Sequence, residues 1–353
     1  MGKRRKSLRM NKIGVVVGSG TGRELVGVFR RTLNKIAEIL GKQIDIIECE
    51  HEFGTYESLR NASSRQIEKI IYDELETLHS FYKKFYSLGG RTIFRTAINA
   101  ETLYLFRKTG KAVKMIEIPL AEKTLLIIRD ETQGFYVDEH YKIGKERIEF
   151  TGSFTKENFR LVTNFALNEA NRVLRQPFET WVVYKHHLFA NLIQKWVTDV
   201  LPNIQVYQPN HATELLFQDY FTSQKSNDLL MIVGNEVGDI LHEVLIFHLE
   251  IGSRHTLYSK NIYLGDEFKG LTEYQTVHGS ADNIAKKNIV NPTATLRALG
   301  NIVENILGID NFSSSMDRAI EYAYKKLSPC NGIPKTNMVV DLILLYLTKN
   351  EGR

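Results

Sequence analysis

Short runs of β-branched residues alternate along the chain with longer stretches of helical periodicity, and that alternation restricts the fold to an α/β architecture. Strands are predicted at 13–17, 44–48, 125–128, 181–184, 204–207 and 229–233, with helices between them that include 24–40, 64–78 and 156–172. In 156–172 the apolar positions Phe159, Val162, Phe165, Ala166 and Ala170 recur at helical spacing and leave the opposite face charged. Further on, Asn291 suits a helix cap, Pro292 the first helical position and Gly308 the stop. Between them Leu296, Leu299, Ile302, Val303 and Ile306 form one apolar stripe. A chain of 353 residues can bury roughly 75% of its extended surface, as one large domain or two intimately joined ones. With 43% hydrophobic and 25% charged residues it is no disordered tail, disulfide-stapled miniprotein or fibrous repeat. Neither an internal repeat nor a low-complexity linker marks a boundary.

The formal net charge of +5 says little about partners. Lys3, Arg4, Arg5, Lys6, Arg9 and Lys12 lie within the first twelve residues, and removing those six charges from +5 leaves −1 for the rest. A nucleic-acid binder needs basic residues gathered on a folded face, so no nucleic-acid partner is expected. The basic segment reads as a solvated tail, without the apolar stretch behind it that a secretory signal needs. The most apolar segment, 339–347, carries Asp341 and is too short to span a bilayer, so no membrane partner is expected. Two cysteines, Cys49 and Cys330, cannot build a cysteine-spaced metal site, and a reducing cytoplasm is the expected location.

The first strand runs into Gly18-Ser19-Gly20-Thr21-Gly22. Backbone amides in such a loop can approach a pyrophosphate, but the dinucleotide fingerprint fails at its third glycine, where Arg23 stands. By itself the loop is either a nucleotide cradle or a tight turn.

A later segment is far more specific: His278-Gly279-Ser280-Ala281-Asp282-Asn283-Ile284-Ala285-Lys286-Lys287-Asn288-Ile289-Val290-Asn291-Pro292-Thr293. It resembles the adenosine-binding loop of the isocitrate and isopropylmalate dehydrogenase family, the metal-dependent β-decarboxylating dehydrogenases. Other segments follow that family's order. The glycine loop after the first strand, with Glu24 behind it, is similar to the family's own. Arg129-Asp130-Glu131-Thr132-Gln133-Gly134-Phe135-Tyr136 is similar to its arginine-to-tyrosine active-site strand. Lys185 ends an apolar strand, as the family's catalytic lysine does, and the stretch from Asn235 to Glu243 is similar to the start of its metal-binding helix. The resemblance implies an isocitrate/isopropylmalate dehydrogenase-like α/β fold, with two domains sharing one continuous mixed sheet rather than a Rossmann fold. It assigns 1–98 plus 252–353 to a nucleotide-binding domain and 99–251 to a metal, substrate and dimerisation domain. It also implies a homodimer with shared active sites.

Residue by residue, the resemblance makes Lys185 the general base on the hydroxyl that is oxidised, reaching in from the neighbouring subunit. A lysine does this only if desolvation or a nearby cation lowers its pKa. Tyr136 matches the tyrosine that returns a proton after carbon dioxide leaves, and Arg129 an arginine that grips a substrate carboxylate with two hydrogen bonds. Asp239 and Glu243 match the metal aspartates, as ligands for Mg²⁺ or Mn²⁺. Four residues apart at a helix start, they share one face, which suits a hard cation but equally suits two exposed acids in a helix's first turn. Glu243 is one methylene longer than the family's aspartate. A third metal acid from the partner subunit has no clear match; Glu214 and Asp219 lie nearby in sequence. The family's further pair of substrate arginines is reduced to Arg107, with Lys111 as the substitute for the other. His186 and His187 read as a polar strand end, His187 standing where the family has asparagine. For the cofactor, the resemblance assigns His278, Gly279, Ser280, Ala281, Asn283 and Asn291. Asn283 replaces an aspartate that receives the ribose of NAD, yet no basic pair suited to a ribose phosphate is present, so NAD is favoured over NADP.

Two functions follow. One is NAD- and divalent-metal-dependent oxidative decarboxylation of a small 2-hydroxy acid with a carboxylate on the adjacent carbon, its substrate differing from the family's common ones. The other is a non-catalytic paralogue serving as a binding or regulatory subunit, since the departures gather at substrate and metal positions.

Overall fold

The computed structural model describes residues 11–134, 141–143, 146–150, 152–185, 190–201, 204, 206–222, 227–249, 256–277, 279–328 and 332–351. The chain divides into two compact units. The first comprises Met1–Ala100, Gly252–Ser259 and Leu271–Arg353, the second Glu101–Ile251 and Lys260–Gly270. The segment Lys260–Gly270, placed with the terminal regions by the sequence reading, therefore packs with the middle of the chain. Its strand residues 260–263 pair antiparallel with 112–115.

In the first unit four parallel strands lie in the order Ile44–Phe53, Asn11–Gly18, Thr92–Arg95, Thr272–Thr276. Helix Gly22–Leu40 packs beside them, with Phe29 stacked on Phe94 at 4.3 Å between ring centroids. Leu296, Leu299, Ile302 and Val303 of helix Thr293–Leu307 are buried in the same core, and Ile306 packs partly buried against it. Each such side chain contributes about 1.5–3 kcal/mol by leaving water. The start of that helix differs in detail from the expectation. Pro292 occupies the cap position itself, and the Asn291 side chain accepts from the Thr293 amide at 3.0 Å from one residue further back. Gly308 ends the helix at φ 63°, the left-handed conformation that glycine adopts without a Cβ penalty.

The second unit holds a mixed sheet in the order 260–263, Ala112–Pro119, Thr124–Asp130, Leu229–Gly234, Glu179–Val183, Val206–Tyr207. The first two junctions are antiparallel and the other three parallel. Helix Lys156–Val173 covers one face with Phe159, Val162, Ala166 and Ala170, and Phe165 is partly buried there. Leu216, Tyr220, Leu241 and Leu245 pack among the buried residues of a second cluster with Ile127 and Met231. The expected strand at 204–207 is only Val206–Tyr207. Strand Ala112–Pro119, absent from the sequence reading, carries Lys114 and Glu117, which break its apolar pattern. Among the described residues no helix is long and apolar enough to cross a membrane.

Candidate active site

In the second unit, three parallel strands end side by side. Arg129 lies opposite Val233, which lies opposite Val183, and Asp130 lies opposite Gly234. The carboxyl ends of parallel strands are where α/β sheets bind ligands, because the following loops and helix starts splay apart there. Arg129 reaches that edge although it is only 1% exposed. Its Nε donates to Asn235 Oδ1 at 2.7 Å and its Nη1 to Asp239 Oδ1 at 2.6 Å. Both partners belong to helix Asn235–His248, which follows the strand Leu229–Gly234. Gly238 allows the approach: a Cβ there would lie 3.0 Å from Arg129 Cγ and Cδ and 2.7 Å from Val233 Cγ2. Arg129 Nη2 is buried and makes no hydrogen bond among the described residues. The planar fork is thus held on two nitrogens and has a third to offer.

Arg107, on helix Ala100–Thr109, is equally buried at 1%. Its expected companion is elsewhere. Gly110 and Lys111 end this helix, and Lys111 adopts φ 50°. The Lys111 ammonium pairs with Glu157 at 2.7 Å on a part-exposed surface. Lys114 takes the inward position instead, directly across the strands from Arg129. Two cations facing each other across a ladder repel, and Glu131 answers both. Its carboxylate lies 3.0 Å from Arg107, 3.6 Å from Lys114 and 3.6 Å from Arg129. Burial and the adjacent Arg129 and Arg107 nevertheless lower the Lys114 pKa to about 7, with Glu131 pulling the other way. Sequence reasoning missed Lys114 and Glu131; a lone lysine inside the apolar run 112–118 was the available signal.

Asp130, next to Arg129, fixes the loop that follows. It accepts from the Thr132 amide at 2.9 Å, the Thr132 hydroxyl at 2.7 Å, Gln133 Nε2 at 2.7 Å and the Tyr184 hydroxyl at 2.9 Å. Burial raises its pKa while these donors oppose the shift. The Tyr184 bond ties the strand end before Lys185 to the strand end at Arg129. Lys185 itself is exposed. Tyr136, His186, His187, His278 and Cys330 lie outside the described residues.

Asp239 and Glu243 stand one turn apart on their helix, both partly exposed. Among the described residues no group of three His, Cys, Asp or Glu side chains gathers. Two carboxylate donors fit a hard divalent cation as a partial ligand set, with the remaining oxygens to come from substrate, water or a second copy. Glu214 and Asp219 are exposed.

In the first unit, the glycine loop and the later specific segment meet. The Thr21 amide and hydroxyl both donate to the Ser280 carbonyl, at 2.9 and 2.8 Å. Gly20, at φ 73°, makes room: a Cβ would lie 2.6 Å from that carbonyl oxygen. The Gly18 amide is taken by the Thr96 hydroxyl and the Ser19 amide by the Phe53 carbonyl. With these amides committed inside the protein, the loop serves as a backbone junction. Within the later segment Ser280 donates to Asp282, and across the junction the Lys286 amide donates to Glu24 at 3.2 Å. Ala281, Lys286 and Asn288 all have positive φ, from 46° to 62°. That is a costly conformation for side-chain-bearing residues, and such positions gather at ligand sites. Gly279 and Asn283 are exposed. Asn291 instead points inward, accepting from Thr293 and from the Tyr324 hydroxyl at 2.9 Å. Its role is to hold the loop rather than to face outward.

The isocitrate/isopropylmalate dehydrogenase family profile matches residues 92–337. The chain is 25% identical to the homoisocitrate dehydrogenase of Methanocaldococcus jannaschii, over 96% of this chain and 99% of that protein. It is 24% identical to the 3-isopropylmalate dehydrogenase of Sulfurisphaera tokodaii, over 89% and 91%. Among solved structures, the isocitrate dehydrogenase of Methylococcus capsulatus superposes with a TM-score of 0.65 at 18% identity, covering 96% of this chain and 99% of that one. A β-decarboxylating dehydrogenase of Thermococcus kodakarensis gives 0.58 at 17%, covering 96% and 97%.

Proposed function

The chain belongs to the isocitrate/isopropylmalate dehydrogenase family, and we propose that it catalyses the NAD- and divalent-metal-dependent oxidative decarboxylation of a 2-hydroxy acid bearing a carboxylate on the adjacent carbon. It is an oxidoreductase of the β-decarboxylating type. The observation that carries the finer reading is Arg129: a buried guanidinium, braced by Asn235 and Asp239, with an uncommitted Nη2 at the carboxyl ends of the parallel strands.

In this reading Arg129 and Arg107 orient the substrate's carboxylates, with Lys114 rather than Lys111 as the third cation. Lys185, supplied by a second copy of the chain, takes the proton of the hydroxyl being oxidised. Tyr136 returns a proton to the carbon that loses carbon dioxide. Asp239 and Glu243 would hold Mg²⁺ or Mn²⁺, and the loop at 278–291 would hold NAD through Gly279, Ser280, Ala281 and Asn283, with Asn291 bracing it. When bound, NAD accepts the hydride and the cation neutralises charge gathering on the substrate oxygens.

A homodimer fits the helix that bears the acids. Ile240, Val244 and Phe247, spaced along one face of Asn235–His248, are 65%, 42% and 88% exposed. Such a stripe belongs against another apolar surface. A cytoplasmic setting suits the buried free thiol of Cys49 and a nicotinamide-linked reaction. Calorimetric titration with Mn²⁺ tests the metal assignment. Wild type binds in the micromolar to millimolar range, and Asp239→Asn loses binding; equal binding by both refutes the assignment.

A further inference from the structure

Glu131 is a negative charge placed where a substrate's charge would be expected. Its side chain is fully buried, and its carboxylate lies within 3.6 Å of Arg107, Lys114 and Arg129. Its backbone is held in place: the preceding Asp130 is held by four donors, and the Glu131 amide donates to the Ala112 carbonyl at 3.2 Å. Among the described residues Glu131 is the carboxylate shared by all three cations, so it removes one unit of positive charge from what they would otherwise present to a ligand. A ligand that brings more negative charge than the pocket can balance leaves charge buried and uncompensated, which is strongly disfavoured.

We propose that Glu131 is a specificity-determining residue that stands in for a ligand carboxylate, so that the pocket takes an acid with one carboxylate fewer than its three cations would otherwise accept. This rests on reading the cation cluster as the substrate-carboxylate site. The same geometry explains why a buried acid persists in an anion site. Glu131 relieves the repulsion between Lys114 and Arg129 before substrate arrives, and in doing so it fixes how much negative charge the substrate brings.

The test is calorimetric titration of the full chain in metal-free buffer with butyrate, succinate and tricarballylate, which carry one, two and three carboxylates and need no turnover. Wild type binds succinate more tightly than tricarballylate. Glu131→Gln, which keeps shape and removes charge, raises the affinity ratio of tricarballylate to succinate about tenfold or more. Lys114→Gln, titrated at pH 6 where Lys114 is protonated, keeps Glu131 and removes a cation, and it moves the ratio in the opposite direction; this arm decides the matter if Glu131→Gln does not fold. A ratio within about twofold of wild type in a folded variant overturns the proposal, as does failure of both wild type and a folded variant to bind any of the three acids. A shifted ratio in a protein that forms no NADH supports charge selection by Glu131 and counts against the dehydrogenase reading alone.

Discussion

Arg129→Lys isolates the geometry of the guanidinium from its charge. Arg129 spends Nε on Asn235 and Nη1 on Asp239, and its Nη2 makes no hydrogen bond among the described residues, so in the proposed reading it meets a substrate carboxylate. A lysine ammonium is a point donor that cannot span all three directions. If it keeps the Asp239 pair, the Asn235 amide loses its partner and the substrate loses one charge-assisted bond. Hydrogen bonds to charged groups contribute about 1.5–3 kcal/mol each. The variant therefore loses about 1.5–3 kcal/mol of stability, and kcat/KM falls by about 10- to 150-fold. Denaturant unfolding gives the first number and initial-rate kinetics the second. A folded Arg129→Lys protein with kcat/KM within about threefold of wild type would refute the claim that a planar, pre-braced fork binds the substrate.

Two glycines of the first unit separate fold from function. A Cβ on Gly18 would lie 1.6 Å from the Ala97 carbonyl oxygen, so Gly18→Ala should cost at least about 3 kcal/mol in chemical denaturation. A Cβ on Gly279 meets nothing within 4 Å among the described residues, so Gly279→Ala should change stability by less than about 0.5 kcal/mol, and any change in the KM for NAD would report on the cofactor. Lys114 predicts a pH dependence of stability. Its folded pKa is lowered to about 7 from 10.5. Between those values the unfolded chain binds the proton and the folded protein does not, so this group's contribution raises stability with pH by about 1.4 kcal/mol per unit. Below about 7 the slope vanishes because both states are protonated. Lys114→Met should remove the slope difference seen when unfolding is measured from pH 6 to 10.

What the sequence made legible was mostly local. The helix stripes at 156–172 and 296–306 are periodic, and their packing follows the pattern because each needs only its own spacing. Arg129, Asp239 and Glu243 could be singled out because each sits in a contiguous matched segment, and the structure pairs Arg129 with Asp239 and puts Asp239 and Glu243 on one helix. Lys114 and Glu131 could not be, because they meet through the antiparallel register of 113–119 with 124–130, which no single stretch encodes. Lys111 lies past the helix end at Gly110, where a Cβ would be 2.6 Å from the Tyr263 ring, and it turns at φ 50° to pair with Glu157. The glycine loop was ambiguous for a related reason. Its true counterpart, the Ser280 carbonyl, lies 259 residues from Thr21 along the chain.

The most direct measurement is the stoichiometry of NADH formed to carbon dioxide released, with Mn²⁺ and a panel of 2-hydroxy acids that includes isocitrate, isopropylmalate, malate and tartrate. Oxidative decarboxylation predicts one carbon dioxide for each NADH with at least one acid, and no product from Lys185→Ala. NADH without carbon dioxide would contradict the decarboxylating step, and silence across the panel together with undetectable NAD⁺ and Mn²⁺ binding would contradict the catalytic account as a whole.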